Sequence, residues 1–124
     1  MGKDHSTRKS FLYAFQGIRS AFKREPNFKI HIIIAITVLF LALLLKFSLI
    51  EWIILAFTIV FVITLELLNT VLEALTNLIS PDISAEAEVA KDVSAAMVLV
   101  ASILSIIVGL MLFIPKVLLL LNKG

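Results

Sequence analysis

The chain alternates between long apolar runs and short polar breaks, and the period of its apolar positions changes once, near residue 25. Before that point Phe11, Phe15, Ile18 and Phe22 recur at i, i+4, i+7 and i+11, while Lys9, Gln16 and Lys23 fall on the opposite side. That spacing predicts an amphipathic helix over about 8–24, with a basic face and an aromatic stripe, lying in the membrane surface. Packing against a partner protein is the alternative for the same face. Glu25-Pro26-Asn27 breaks this helix, because proline disfavours a helical residue before it and is well placed in the first turn of a new helix. The tail ahead of it, residues 1–7, is polar and reads as loose, with His5 solvated.

Beyond the break the apolar positions are continuous. Ile32–Leu45 carries no charge, and with Lys29 and His31 at the interface a first span is predicted over about 28–47, just long enough for a hydrocarbon core of about 30 Å. Lys46 to Glu51 reads as a polar-containing turn with ordinary turn charges, and Trp52 as an interface anchor. A second span is predicted over about 52–72. Ser80-Pro81-Asp82 ends that helix, and Ser84 is placed to cap the next, with Glu86 and Glu88 in its first turn. A third span is predicted over about 93–114, with Pro115-Lys116 as its exit. Ala101, Ser105 and Gly109 form a ladder of small residues on it that admits a neighbouring backbone.

Composition turns these runs into a class. The chain has 124 residues, 60% of them hydrophobic, and a mean hydropathy of +1.08, which is the usage of an all-α integral membrane protein. One domain, 1–124, is expected. Cysteine is absent, so disulfides and thiolate metal sites are excluded. No cleavable signal peptide is expected, since the first long apolar run begins only near Ile30. Lys3, Arg8, Lys9, Arg19, Lys23, Arg24 and Lys29 precede the first span, against Asp4 and Glu25. Only Lys46 lies in the following turn. The N-terminus is therefore expected in the cytoplasm, the 73–92 loop with it, and the C-terminus outside.

The candidate chemistry lies where the second span should still be under way. Glu66, Asn69, Glu73 and Asn77 are spaced i, i+3, i+7 and i+11, which confines them to an arc of about 80° on one helix face. A carboxylate at the centre of a span costs about 2.5–3.5 kcal/mol on insertion scales. Such a stripe therefore faces protein, either as a hydrogen-bonded seam or as a site. The topology brings Glu25, Glu66, Asn69, Glu73, Lys91 and Asp92 to the same membrane face. Carboxylates and a lysine there suit Mg²⁺ and phosphate, because Mg²⁺ is commonly held by one or two carboxylates plus substrate phosphates. With Gly2, Gly17, Gly109 and Gly124 as the only glycines, there is no Walker loop and no kinase glycine loop. On the residues alone, phosphoryl transfer and proton or ion handling all stay open, as does a non-enzymatic oligomeric membrane subunit.

Glu66-Leu-Leu-Asn69-Thr-Val-Leu-Glu73-Ala followed by Ala90-Lys91-Asp92-Val-Ser-Ala-Ala resembles the signature of the small bacterial membrane diacylglycerol kinases. Glu25-Pro-Asn-Phe28-Lys-Ile-His31 resembles the Gram-positive branch, whose preferred substrate is undecaprenol. The similarity runs from Phe11-Leu-Tyr13-Ala-Phe-Gln-Gly17-Ile-Arg19 to the third span. It implies a homotrimer of three-span subunits with a surface helix, in the bacterial inner membrane, with ATP–Mg²⁺ sites at subunit interfaces and no nucleic-acid partner. By position, Glu66 is implied as general base toward a lipid hydroxyl, and Glu25 and Glu73 as holders of Mg²⁺. Lys91, Asp92 and Tyr13 are implied to contact ATP, with Asn69 in support. Asn27, Phe28, Lys29, Ile30 and His31 match a region that approaches the lipid. The implied reaction is ATP-dependent phosphorylation of undecaprenol, with diacylglycerol as the alternative acceptor. Two positions depart from the family pattern: Asn77 stands where Asp is usual, and Ser6 where some relatives have Arg.

Overall fold

The computed structural model describes residues 6–124; residues 1–5, His5 among them, lie outside the described residues. Four helices follow one another: α1 (Thr7–Arg24), α2 (Pro26–Leu44), α3 (Leu49–Ile79) and α4 (Ala85–Asn122). The last three are long and apolar enough to cross a membrane, so the chain is an all-helical membrane protein with a short N-terminal helix.

The start of α1 is better ordered than a loose tail. Ser6 is its N-cap, and its hydroxyl accepts from the Lys9 amide at 3.4 Å. Phe11, Phe15, Ile18 and Phe22 are all exposed on one side, as a helix lying in the membrane surface requires. Glu25 is extended, closing α1 and opening α2, whose first residue is Pro26. The corner is held by Phe28, which is 1% exposed and meets Phe22 edge-on at 6.3 Å, with Lys29 Nζ over the Phe22 ring at 5.4 Å.

The turn between α2 and α3 differs from its sequence reading. α2 ends at Leu44, not near 47, because Lys46 adopts a left-handed φ of 54°. The Phe47 amide reaches Ala42 O at 3.2 Å and the Lys46 amide reaches Leu43 O at 3.3 Å. This paired closure satisfies carbonyls that the helix end would leave open. α3 begins three residues earlier than expected. Ser48 and Glu51 form a capping box, with Glu51 Oε2 accepting from the Ser48 amide at 2.7 Å. Phe47 and Trp52 flank the cap with ring centroids 6.0 Å apart, the hydrophobic staple of a helix start. Glu51 is thus a capping residue and not an idle turn charge. It also pairs with Lys116 Nζ at 3.1 Å.

That pair explains a second difference. The helix does not end at Pro115; α4 runs through it to Asn122. Proline deletes one backbone hydrogen bond, but contacts on either side hold the helix on course. Phe113 lies against Phe47 at 4.9 Å, and Lys116 reaches both Glu51 and the Phe47 ring. Together with Ala42, Leu55 and Leu112 these residues form an apolar core at the far end of the bundle from the polar stripe. α3 and α4 pack most extensively. Thr37 and Thr58 return their hydroxyls to Ile33 O and Ile54 O at 2.8 Å, so their polarity within the spans is satisfied locally. Large apolar side chains such as Phe57, Met111 and Leu121 remain outside the single-chain core.

Candidate active site

Burial along the stripe of α3 is graded. Glu66 is 2% exposed and Asn69 6%, Glu73 is half-buried and Asn77 is exposed. The four share a face, but α2 and α4 cover only its deeper end.

Each buried member has a partner on another helix. Asn69 Oδ1 accepts from Ser94 Oγ on α4 at 2.7 Å, and Ser94 is itself 4% exposed. Sequence reasoning passed over Ser94, although it lies three residues after Lys91 on the α4 face; a serine among alanines in a helix is weak as a signal. Opposite Glu66 stands His31 of α2, with Nε2 3.0 Å from Glu66 Oε1. The contact is near without being aligned, and Glu66 Oε1 has no hydrogen-bond donor directed at it among the described residues. A buried carboxylate oxygen left in this state costs free energy on the order of 1–3 kcal/mol or more.

Glu25, at the α1–α2 corner, meets Glu73. Burial raises the Glu25 carboxyl above its ordinary value, and a carboxyl–carboxyl hydrogen bond to Glu73 raises it further; the like charges of Glu73 and Glu66 add to this, against Arg24. Two carboxyls in contact are stable only with a proton or a cation between them. Oxygen donors without nitrogen or sulfur match a hard cation such as Mg²⁺. Among the described residues no third acid or histidine completes a metal-binding group, so a cation at Glu25 and Glu73 would take its remaining ligands from phosphate and water.

Most of the other expected residues are exposed. Lys91 and Asp92 are exposed on α4. With Asn77, Ser80, Asp82 and Ser84 they line a cavity of about 230 Å³ around the α3–α4 turn. No hydrogen bond or ion pair links them to the Glu66–Glu73 stripe among the described residues. Tyr13 on α1 is 48% exposed. Asn27, Lys29 and Ile30 are exposed on the first turns of α2, whereas Phe28 is spent on the corner. An apolar groove of about 330 Å³ opens at His31 and runs between α2, α3 and α4 past Val62, Ser105 and Gly109 toward Phe113. Of the small-residue ladder, Ala101 is buried while Gly109 has nothing within 4 Å of where a Cβ would stand.

Residues 12–113 match the model of the prokaryotic diacylglycerol kinase family. The chain belongs to that family. Membership makes it a membrane lipid kinase. Within the prokaryotic diacylglycerol kinases, it is 39% identical over 119 residues to the undecaprenol kinase of Bacillus subtilis (strain 168), a match covering 92% of this chain and 97% of that one. It is also 40% identical over 110 residues to a diacylglycerol kinase of Synechocystis sp., covering 88% of this chain and 63% of the longer relative.

Proposed function

We propose that this kinase transfers the γ-phosphoryl group of ATP to the primary hydroxyl of undecaprenol, giving undecaprenyl phosphate. The observation that carries the reading is the division of one α3 face. A buried carboxylate, Glu66, stands about 10 Å along the helix from the Glu25–Glu73 pair. That separation suits an acceptor end and a phosphate end. The choice of undecaprenol is supported by the near end-to-end match with the Bacillus undecaprenol kinase. Diacylglycerol is the second reading, favoured by the Synechocystis relative.

In this mechanism the lipid hydroxyl oxygen attacks Pγ, the bond from Pγ to the ADP oxygen breaks, and Glu66 takes the hydroxyl proton. Asn69, fixed by Ser94, supports the α3 face on which Glu66 stands. Glu25 and Glu73 would hold Mg²⁺, which when bound neutralises phosphate charge and orients the polyphosphate. Lys91, Asp92 and Tyr13 contact ATP from the cytoplasmic side. Asn27, Lys29, Ile30 and His31 border the lipid's approach, and the groove beginning at His31 offers its hydrocarbon a path. The separation of Lys91 and Asp92 from the stripe within one chain fits a homotrimer in which neighbouring subunits complete each site. The kinase sits in the cytoplasmic membrane with its N-terminus inside and its C-terminus outside.

The test uses purified protein in mixed micelles with labelled ATP and Mg²⁺, offered undecaprenol or diacylglycerol in parallel. Label is expected in undecaprenol. Label chiefly in phosphatidic acid would replace the first reading with the second, and label in neither lipid would overturn both.

A further inference from the structure

Transfer of a phosphoryl group to an alcohol releases one proton per turnover, and the group that takes it must lose it again before the next cycle. Glu66 is badly placed to do so alone, since its side chain is 3% exposed. The one ion-pair partner it has among the described residues is His31, whose side chain is 22% exposed and whose Nε2 stands 3.0 Å from Oε1. We propose that His31 is the proton outlet of Glu66, a positioning residue that acts on the reaction through that carboxylate; the proposal rests on Glu66 being the base.

The step balances. As the lipid oxygen bonds to Pγ, its O–H bond breaks and the proton passes to the Glu66 carboxylate. It then passes from Oε1 to the neutral imidazole at Nε2, and the imidazolium returns it to water at the interface. Imidazole is suited to this exchange because its unperturbed pKa lies near neutrality. The other charged groups facing Glu66 serve it less well. Glu25 and Glu73 are engaged with each other. Glu73 also lies about 10 Å along α3, too far for direct transfer. On α4 the group meeting the stripe is the Ser94 hydroxyl, committed to Asn69, and Lys91 and Asp92 are exposed nearer the helix start.

The experiment compares His31→Ala and His31→Gln with the unaltered chain in lipid micelles, after equal helicity and equal elution volume have been checked. Loss of the outlet should lower kcat by about tenfold or more while leaving KM for ATP within about twofold, a fraction of the 10²–10⁴ that proton transfer by a positioned side chain typically contributes. Added imidazole should restore turnover of His31→Ala in proportion to its concentration and leave the unaltered chain unchanged. Glutamine keeps a donor at similar reach but cannot carry a proton, so His31→Gln should stay slow. Full kcat in His31→Gln, or no response of His31→Ala to imidazole, overturns the proposal. Glu66→Gln is assayed beside them. If it is inactive while imidazole rescues nothing, only the outlet falls; if it retains full turnover, the base assignment falls and the outlet with it.

Discussion

The energetics of the site begin with one side chain. Glu66 is buried in a membrane helix with an oxygen that no donor among the described residues addresses, an arrangement that structural packing alone would be expected to remove. Glu66→Gln keeps the volume and supplies a donor, so the fold should survive and gain a little stability. Nucleotide binding should persist, while turnover falls by about 10²–10⁴ if the carboxylate is the base. Calorimetry of ATP binding beside a turnover assay reads both effects. Glu25 behaves differently, because its raised carboxyl holds a proton above the ordinary carboxylate range. A cation must displace that proton, so apparent Mg²⁺ affinity should rise as pH is raised through the Glu25 transition and weaken as pH falls through it. In the protein without metal the same pair favours the protonated form, and acidification through that window should stabilise the fold slightly. Glu73→Gln should raise the Mg²⁺ requirement and flatten its pH dependence, as followed by metal titration at stepped pH.

Among the elements, the start of α3 carries the clearest division of labour. Glu51 closes the capping box with Ser48 and pairs with Lys116 across to α4. Glu51→Gln preserves the cap and removes the charge pair, both of whose side chains are about a quarter exposed; the expected loss is small. Glu51→Ala removes the cap as well and should cost more. Thermal unfolding in detergent should therefore order the chains as parent, Gln, Ala. An equal loss in the two variants would mean that the ion pair, not the cap, holds this end. The same pair braces α4 beside Pro115, where the helix outruns the end that proline proposed.

For the molecule as a whole, the polar cluster and the α3–α4 turn lie toward one end of the helix bundle and the Phe47–Trp52–Phe113 cluster at the other, with the first end proposed to face the cytoplasm. The absence of cysteine makes this orientation easy to test with single introduced thiols. Asp82→Cys in intact cells should resist an impermeant maleimide until the membrane is opened, and Lys123→Cys should react at once; the reverse pattern would invert the topology. Much of this was legible in the order of residues. The three spans, the surface helix, the break at Pro26 and the cap at Ser84 follow from periodicity and local backbone chemistry, which act over a few residues. The stripe of α3 was legible for the same reason, and membership of the kinase family through the resemblance of its motifs. The end of α2, the start of α3 and the run of α4 past Pro115 were not: a left-handed Lys46 and the Ser48–Glu51 cap set the first two, and Phe47, Glu51, Phe113 and Lys116 meet across helices beside the third. Nor were the pairing of His31 with Glu66, the Ser94–Asn69 bond, or the contact of Glu25 with Glu73. A helical repeat places a side chain on a face of its own helix. Which side chain stands opposite depends on how the helices cross, and only the packed bundle decides that.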